Sequence, residues 1–190
     1  MKSVIVGLFA IGSVLIAQSP EYTSDGKLIR PANYREWIFL SSGLGMTYGP
    51  NAPAEPSFDN VFVSPASYRE FQKTGLWPDK TMFVLEIRGA TSHGSINKAG
   101  HFQNEQAAIE VEVKDSSRFP DKFAFFGFGD KPGKPGASAA RIPAGSVCNV
   151  CHAKNGAADN TFVQFYPTLI EAAKRNGTFK AMGEPTADLR

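Results

Sequence analysis

Cysteine is nearly absent from this chain, with 2 among 190 residues, and histidine is almost as scarce, with 3. Two thiols can make one bridge at most, so a multi-bridge disulfide framework is excluded. An excess of charge of one sign is also lacking. The formal net charge is +2, and Lys2 belongs to the extreme N-terminal segment. Basic and acidic residues are interspersed, and no cationic stripe with interleaved aromatics points to nucleic acid. The apolar run from Val4 to Ala17 is shorter than the about 20 residues a spanning helix needs, and no later stretch is long and apolar enough to cross a bilayer. No internal repeat stands out.

What is present begins with an export pattern. Met1-Lys2-Ser3 precedes the short apolar run, and Gln18-Ser19-Pro20 follows it, as in a secretory signal. Cleavage after Ala17 places Leu15, not the smallest choice, at the third position before the cut. The expected division is a signal peptide over residues 1–19 and one domain over 20–190, with a periplasmic or otherwise exported mature protein. A retained N-terminal anchor is the alternative. The length suits one domain with a sizeable core. Phenylalanine is abundant at 15 residues, which serves a well-filled core and an apolar cofactor pocket equally.

Cys148-Asn149-Val150-Cys151-His152 carries the chemistry. Two thiols two residues apart can saturate both vinyl groups of one porphyrin, and the adjoining histidine can then ligate the iron. The motif therefore predicts one heme c, attached through Cys148 and Cys151, with His152 as metal ligand. Three other readings compete. A disulfide between the cysteines would close a very small loop. A thioredoxin-like redox pair needs a strand in a βαβ setting, which is missing. Zinc would need His93 and His101 as further ligands by chance geometry.

The pattern along the chain is β-rich. Asn33 and Glu36 predict a helix start leading into Trp37 and Leu40, followed by a Gly- and Pro-rich loop from Gly43 to Ser57. Phe58–Val63 has strand composition. Pro65–Phe71 reads as a helix closed by Gly75. Thr81–Arg88 and Phe123–Phe128 read as strands. Between them Ala107–Lys114 alternates, with Ile109, Val111 and Val113 inward and the glutamates outward. Gly129–Gly145 is expected to cross the surface as a flexible loop. Asp159–Phe165 reads as an extended pass, and a helix runs from Pro167 to a stop at Gly177. The fold class expected is α+β: a single β-rich domain with an antiparallel sheet, short flanking helices and a C-terminal heme c attachment segment. Small all-helical electron-transfer cytochromes attach heme near the N-terminus, so their fold suits this chain poorly.

The chain resembles the cytochrome P460 family, including its uncrosslinked relatives, the cytochromes c′-beta. The likeness runs from Asn33-Tyr34-Arg35-Glu36-Trp37 through Pro65-Ala66-Ser67-Tyr68, Lys73-Thr74-Gly75, Arg118-Phe119 and Phe123-Ala124-Phe125. It continues through the heme motif to Phe165-Tyr166-Pro167-Thr168-Leu169. The resemblance implies a homodimer whose heme c has a proximal histidine and an open distal side, and which binds or transforms small nitrogen species.

Two departures bear on which. In hydroxylamine-oxidising members a lysine in the strand after Lys-Thr-Gly bonds to the porphyrin; the matching position here is Leu85, which has no amine. Lys80 lies five residues earlier, and a shift of that size would misalign Glu86. The arginine those members carry before Phe-Tyr-Pro is Gln164 here, which cannot supply a fixed charge. Candidates for the distal pocket are Phe39, Phe83, Leu85, Phe102 and Gln164, with core packing the competing role for each phenylalanine. Met46, Met82 and Met182 are candidate sixth ligands whose competing role is core filling or loop placement. His93 and His101 read as loop or turn residues, and Glu86 as either a pocket residue or the polar side of its strand. Arg35 and Glu36 read as architectural.

The reading that follows is an exported heme c protein binding NO or related small nitrogen ligands at an open iron site and exchanging electrons with a redox protein partner. The alternatives are a hydroxylamine-oxidising enzyme and a six-coordinate electron carrier. Iron coordination separates the carrier from the other two.

Overall fold

The computed structural model describes residues 19–48, 55–129 and 133–180. The expected signal segment lies almost wholly outside them, and Met182 lies outside them too. In chain order the strands are β1 (Leu28–Ile29), β2 (Ile38–Leu44), β3 (Ser57–Val63), β4 (Met82–Thr91), β5 (Phe102–Lys114), β6 (Phe123–Gly127) and β7 (Ser138–Ala139). The helices are α1 (Pro65–Thr74), α2 (Val147–Asn155) and α3 (Ile170–Arg175), with single 3-10 turns at Tyr34–Glu36 and Val163–Phe165. Strands β2 to β6 form an antiparallel meander in which each pairs with its neighbour in sequence, and β1 pairs with β7 in a separate ribbon. The result is the expected α+β single domain.

Strand alternation assigns the sheet two faces. Met82 and Val84 of β4, Ile109, Val111 and Val113 of β5, and Ala124 and Phe126 of β6 share one core. Leu28, Tyr34, Trp37, Phe119, Phe128 and Ala139 close over it. The other face turns Val63 and Phe83 toward a second core made with Leu40, Phe71, Trp77, Val163, Tyr166 and Leu169. There α1 packs against α3.

Helix α1 follows its sequence signals closely. Ser64 caps it by accepting from the Ser67 backbone N–H at 3.4 Å, and Pro65 occupies the first turn. Gly75 ends it with φ of 71°, and a β-carbon there would lie 2.5 Å from the Thr178 hydroxyl. Glycine is required twice over, by backbone conformation and by space.

Other elements depart from expectation. After one 3-10 turn at Tyr34–Glu36 the chain continues as β2, not as a helix. Trp37 and Leu40 show why. Residues three apart share a helix face but point to opposite sides of an extended chain, and Trp37 enters the first core while Leu40 enters the second. Strand β2 also reaches into the expected loop, and β5 begins at Phe102 instead of Ala107. The Gly129–Gly145 crossing holds β7. Asp159–Phe165 is a tight turn and a 3-10 turn instead of an extended pass, and α3 starts only at Ile170.

Candidate functional site

Cys148, Cys151 and His152 lie at spacings of three and four on α2, hence on one side of the helix, and all three line a cavity of about 280 Å³. The two thiols are not joined to each other. Facing α2, the sheet contributes Ser41 and Gly43 from β2, Asp59 and Val61 from β3, Phe83 and Leu85 from β4, and Glu110 and Glu112 from β5. Val61, Leu85 and Glu110 are direct neighbours across three strands, and Phe83, Glu112 and Phe125 form the next row. The β5 glutamates are therefore on the side opposite Ile109, Val111 and Val113, as alternation requires. Glu110 stays exposed at the cavity rim, as the outward reading has it, whereas Glu112 is buried in the cavity wall, which corrects that reading for Glu112.

The His152 ring is held from several directions. Its Nδ1 lies 3.1 Å from the Asn160 carbonyl. A carbonyl can only accept, so Nδ1 carries the hydrogen, and in the neutral ring Nε2 keeps its lone pair. The rings of Phe125 and Phe162 pack on it with centroids at 4.6 and 4.4 Å. Glu112 Oε1 is 3.4 Å from Nδ1 but accepts no hydrogen bond, because Nδ1 is directed at the carbonyl. Gly156 lets the chain return this closely: a β-carbon there would meet the Asn160 carbonyl carbon at 2.6 Å and the His152 oxygen at 2.7 Å.

Electrostatically the cavity wall is acidic and poorly compensated. Burial pushes Asp59 above the ordinary carboxylate value, and the Ser57 hydrogen bond offsets this only in part. Burial also raises Glu110, with Asp59 adding to the effect and His152 opposing it. Glu112 is raised mainly by burial, against the pull of His152. Burial holds the Tyr166 phenol above its ordinary value as well. No lysine or arginine is among the described residues that line the cavity.

The sequence candidates divide between this cavity and other places. Phe83, Leu85 and Met46 line it. Phe39 does not; it is 51% exposed on β2 and meets the Phe62 ring edge-on at 5.6 Å. Phe102 is 42% exposed where β5 begins opposite Thr91. Gln164 clamps the chain after α2, accepting from the Ala157 N–H at 3.1 Å and donating to the Asn155 carbonyl at 2.8 Å. Met82 is buried in the first core, and His93 and His101 are exposed. Glu86 faces the first core, where Tyr34, Arg35 and Arg88 hold it. Lys80 pairs with Asp115 and Ser117. Among the described residues no cluster of three His, Cys, Asp or Glu side chains is arranged to hold a bare metal ion.

Sequence reasoning missed Asp59, Glu110 and Glu112 as site residues. For the glutamates the signal was present in the Ala107–Lys114 alternation, since a sheet covered on both faces turns its polar side toward something other than water. Asp59 sits in an unremarkable strand and gave no such signal.

No curated protein matches the chain. The family profile described as cytochrome P460 matches residues 31–163, a span that takes in the whole meander, the α2 motif and the turn that holds His152. The chain belongs to the cytochrome P460 family, whose membership implies a heme c protein.

Proposed function

We propose that this is an exported heme c protein of the cytochrome c′-beta kind, binding NO or related small nitrogen ligands. One heme would be joined through the thiols of Cys148 and Cys151, with His152 as the iron ligand. The residues present fit that group. Both thiols are unpaired and face the same cavity, and the tautomer fixed by Asn160 leaves Nε2 of His152 available for a metal. Val61, Phe83, Leu85, Phe125 and Phe162 supply apolar lining. When bound, the heme would supply an iron centre that can change oxidation state and take a small ligand.

The observation that carries the reading is Leu85 in the wall shared with Cys148, Cys151 and His152, in a cavity lined by no lysine among the described residues. Among the described residues no lysine amine lines the cavity for a bond to the porphyrin edge, and Lys80 is held by Asp115 and Ser117. The leader-like N-terminus supports an exported, periplasmic location. Among the described residues no helix is long and apolar enough to cross a membrane. The family likeness supports a homodimer, and an iron centre that changes oxidation state supports a redox protein partner.

A second reading, oxidation of hydroxylamine, draws on Asp59 and Glu110. Two carboxyl groups in the cavity wall, both held toward the neutral form, can take up and release the protons that such an oxidation sets free. Turnover with hydroxylamine and an artificial acceptor above the free-heme background would support it.

Absorption spectra of the holoprotein in both oxidation states, before and after NO, test the first reading. A high-spin spectrum that shifts on NO addition is expected. A low-spin spectrum that resists NO would point to a protein sixth ligand, with Met46 the methionine placed in the cavity wall. A strongly red-shifted ferrous Soret band would show a porphyrin crosslink despite Leu85.

A further inference from the structure

Asp159 and Asn160 have φ of 46° and 57° at the centre of a turn whose ends, Ala158 and Thr161, hydrogen-bond to each other. Two successive non-glycine residues in the left-handed region are disfavoured, so this turn depends on outside support. Lys114 and Trp77 provide it. The Lys114 ammonium lies 2.6 Å from Asp159 Oδ2 and 2.7 Å from the Trp77 carbonyl. The Trp77 backbone N–H donates to the same Oδ2 at 3.1 Å, and its indole N–H donates to Thr161 at 2.8 Å. The side chains of Lys114 and Asp159 are only 14% and 17% exposed, so this charge-assisted contact is screened less than a surface pair.

The turn presents the Asn160 carbonyl to His152 Nδ1, and beside that hydrogen bond stands a competing acceptor. Glu112 is 9% exposed, and its Oε1 lies 3.4 Å from Nδ1 without a hydrogen-bond partner. A histidine that donates to a carboxylate is a more basic ligand through its other nitrogen than one that donates to a neutral carbonyl. We propose that Lys114 and Asp159 are positioning residues for the iron ligand: by pinning the turn they keep Nδ1–H on the Asn160 carbonyl and away from Glu112. They thereby set how strongly His152 donates to the metal. The proposal rests on the reading of His152 as that ligand.

The test is holoprotein carrying Asp159→Asn, read by its midpoint potential and by the iron–histidine stretching band of the ferrous form. Loosening the turn transfers the Nδ1 hydrogen toward Glu112, so the potential falls and the band moves to higher frequency. Loss of a negative charge near the iron would by itself raise the potential, so the sign separates positioning from plain electrostatics. Adding Glu112→Gln removes the carboxyl acceptor and returns the band toward its wild-type position. An unmoved band or a raised potential in D159N overturns the proposal while His152 remains the ligand. Absence of an iron–histidine band in the wild type overturns the underlying reading together with the proposal. Where D159N yields no holoprotein, Asp159→Gly, which tolerates the left-handed backbone, is measured in its place and read by the same outcomes.

Discussion

On one face of the sheet Glu86 is 3% exposed and met by the Tyr34 hydroxyl at 3.0 Å, by Arg35 at 2.9 Å and by Arg88. On the other face Glu112 is also buried, yet one of its oxygens accepts no hydrogen bond, and Asp59 and Glu110 share the wall without a cation. The two faces lie back to back across the same strands, so backbone geometry does not separate them. What separates them is how completely the carboxylates are answered. Burial alone would raise Glu86, but Arg35, Arg88 and Tyr34 outweigh it and hold the group below its ordinary value. Burial prevails for Asp59, Glu110 and Glu112. A satisfied buried carboxylate acts as a structural tie, whereas an unsatisfied one beside a cavity marks a place where something else binds.

The largest effect that would break this contrast is expected from removing the thiols. The Cys148→Ser, Cys151→Ser double variant should lose covalently held heme entirely, checked by acidified-solvent extraction. Heme that stays with the polypeptide would place the attachment elsewhere. Next comes Phe83→Ala, because Phe83 belongs to the second core as well as the cavity wall. Truncating a buried phenylalanine costs about 3–5 kcal/mol, measured by denaturant unfolding, and should alter ligand affinity too.

Smaller and more diagnostic is the pH dependence of stability. The Glu86 contribution, with its lowered value, is present above the unfolded carboxylate range and lost as pH falls through the folded value. For Asp59 and Glu110, with raised values, the contribution is full below the unfolded range and lost as pH rises through the folded one. Glu86→Gln should therefore destabilise at neutral pH, by roughly 1–3 kcal/mol, while Glu110→Gln should stabilise there. Equal signs in the two unfolding profiles would remove the distinction between the faces. The smallest effect is expected for Phe39→Ala. Its exposed ring gives up an edge contact with Phe62 worth about 0.5–1.5 kcal/mol at most, and NO affinity should be unchanged.

Much of this arrangement can be read in the sequence, and the remainder is hidden for identifiable reasons. The Cys148 to His152 spacing states its chemistry locally, and α1 carries its cap and stop within a dozen residues. β3, β4 and β6 declare themselves by composition. β2 was masked because Asn33 and Glu36 imitate a helix start, and only the two separate cores reveal that Trp37 and Leu40 must part. The glutamates of β5 alternate legibly, but what they face depends on α2, which packs against β6 from far along the chain. The turn that holds His152 depends on Lys114 and Trp77, 45 and 82 residues from Asp159 in sequence, and no local pattern announces it.

The division of the hydrophobic interior has a consequence for biogenesis. The buried residues of the first core run from Leu28 to Ala139, with Tyr22 packed against them, whereas the second core includes Ala158, Val163, Tyr166, Leu169 and Ala173. On the proposed exported route, threading from the N-terminus would deliver the meander first, and a meander pairs only sequence neighbours, a topology that closes quickly. The residues of the first core would thus all be present before the attachment segment emerges. On the proposed mode of attachment, Cys148 and Cys151 would arrive after the sheet, and the second core, which needs residues on their C-terminal side, would close last.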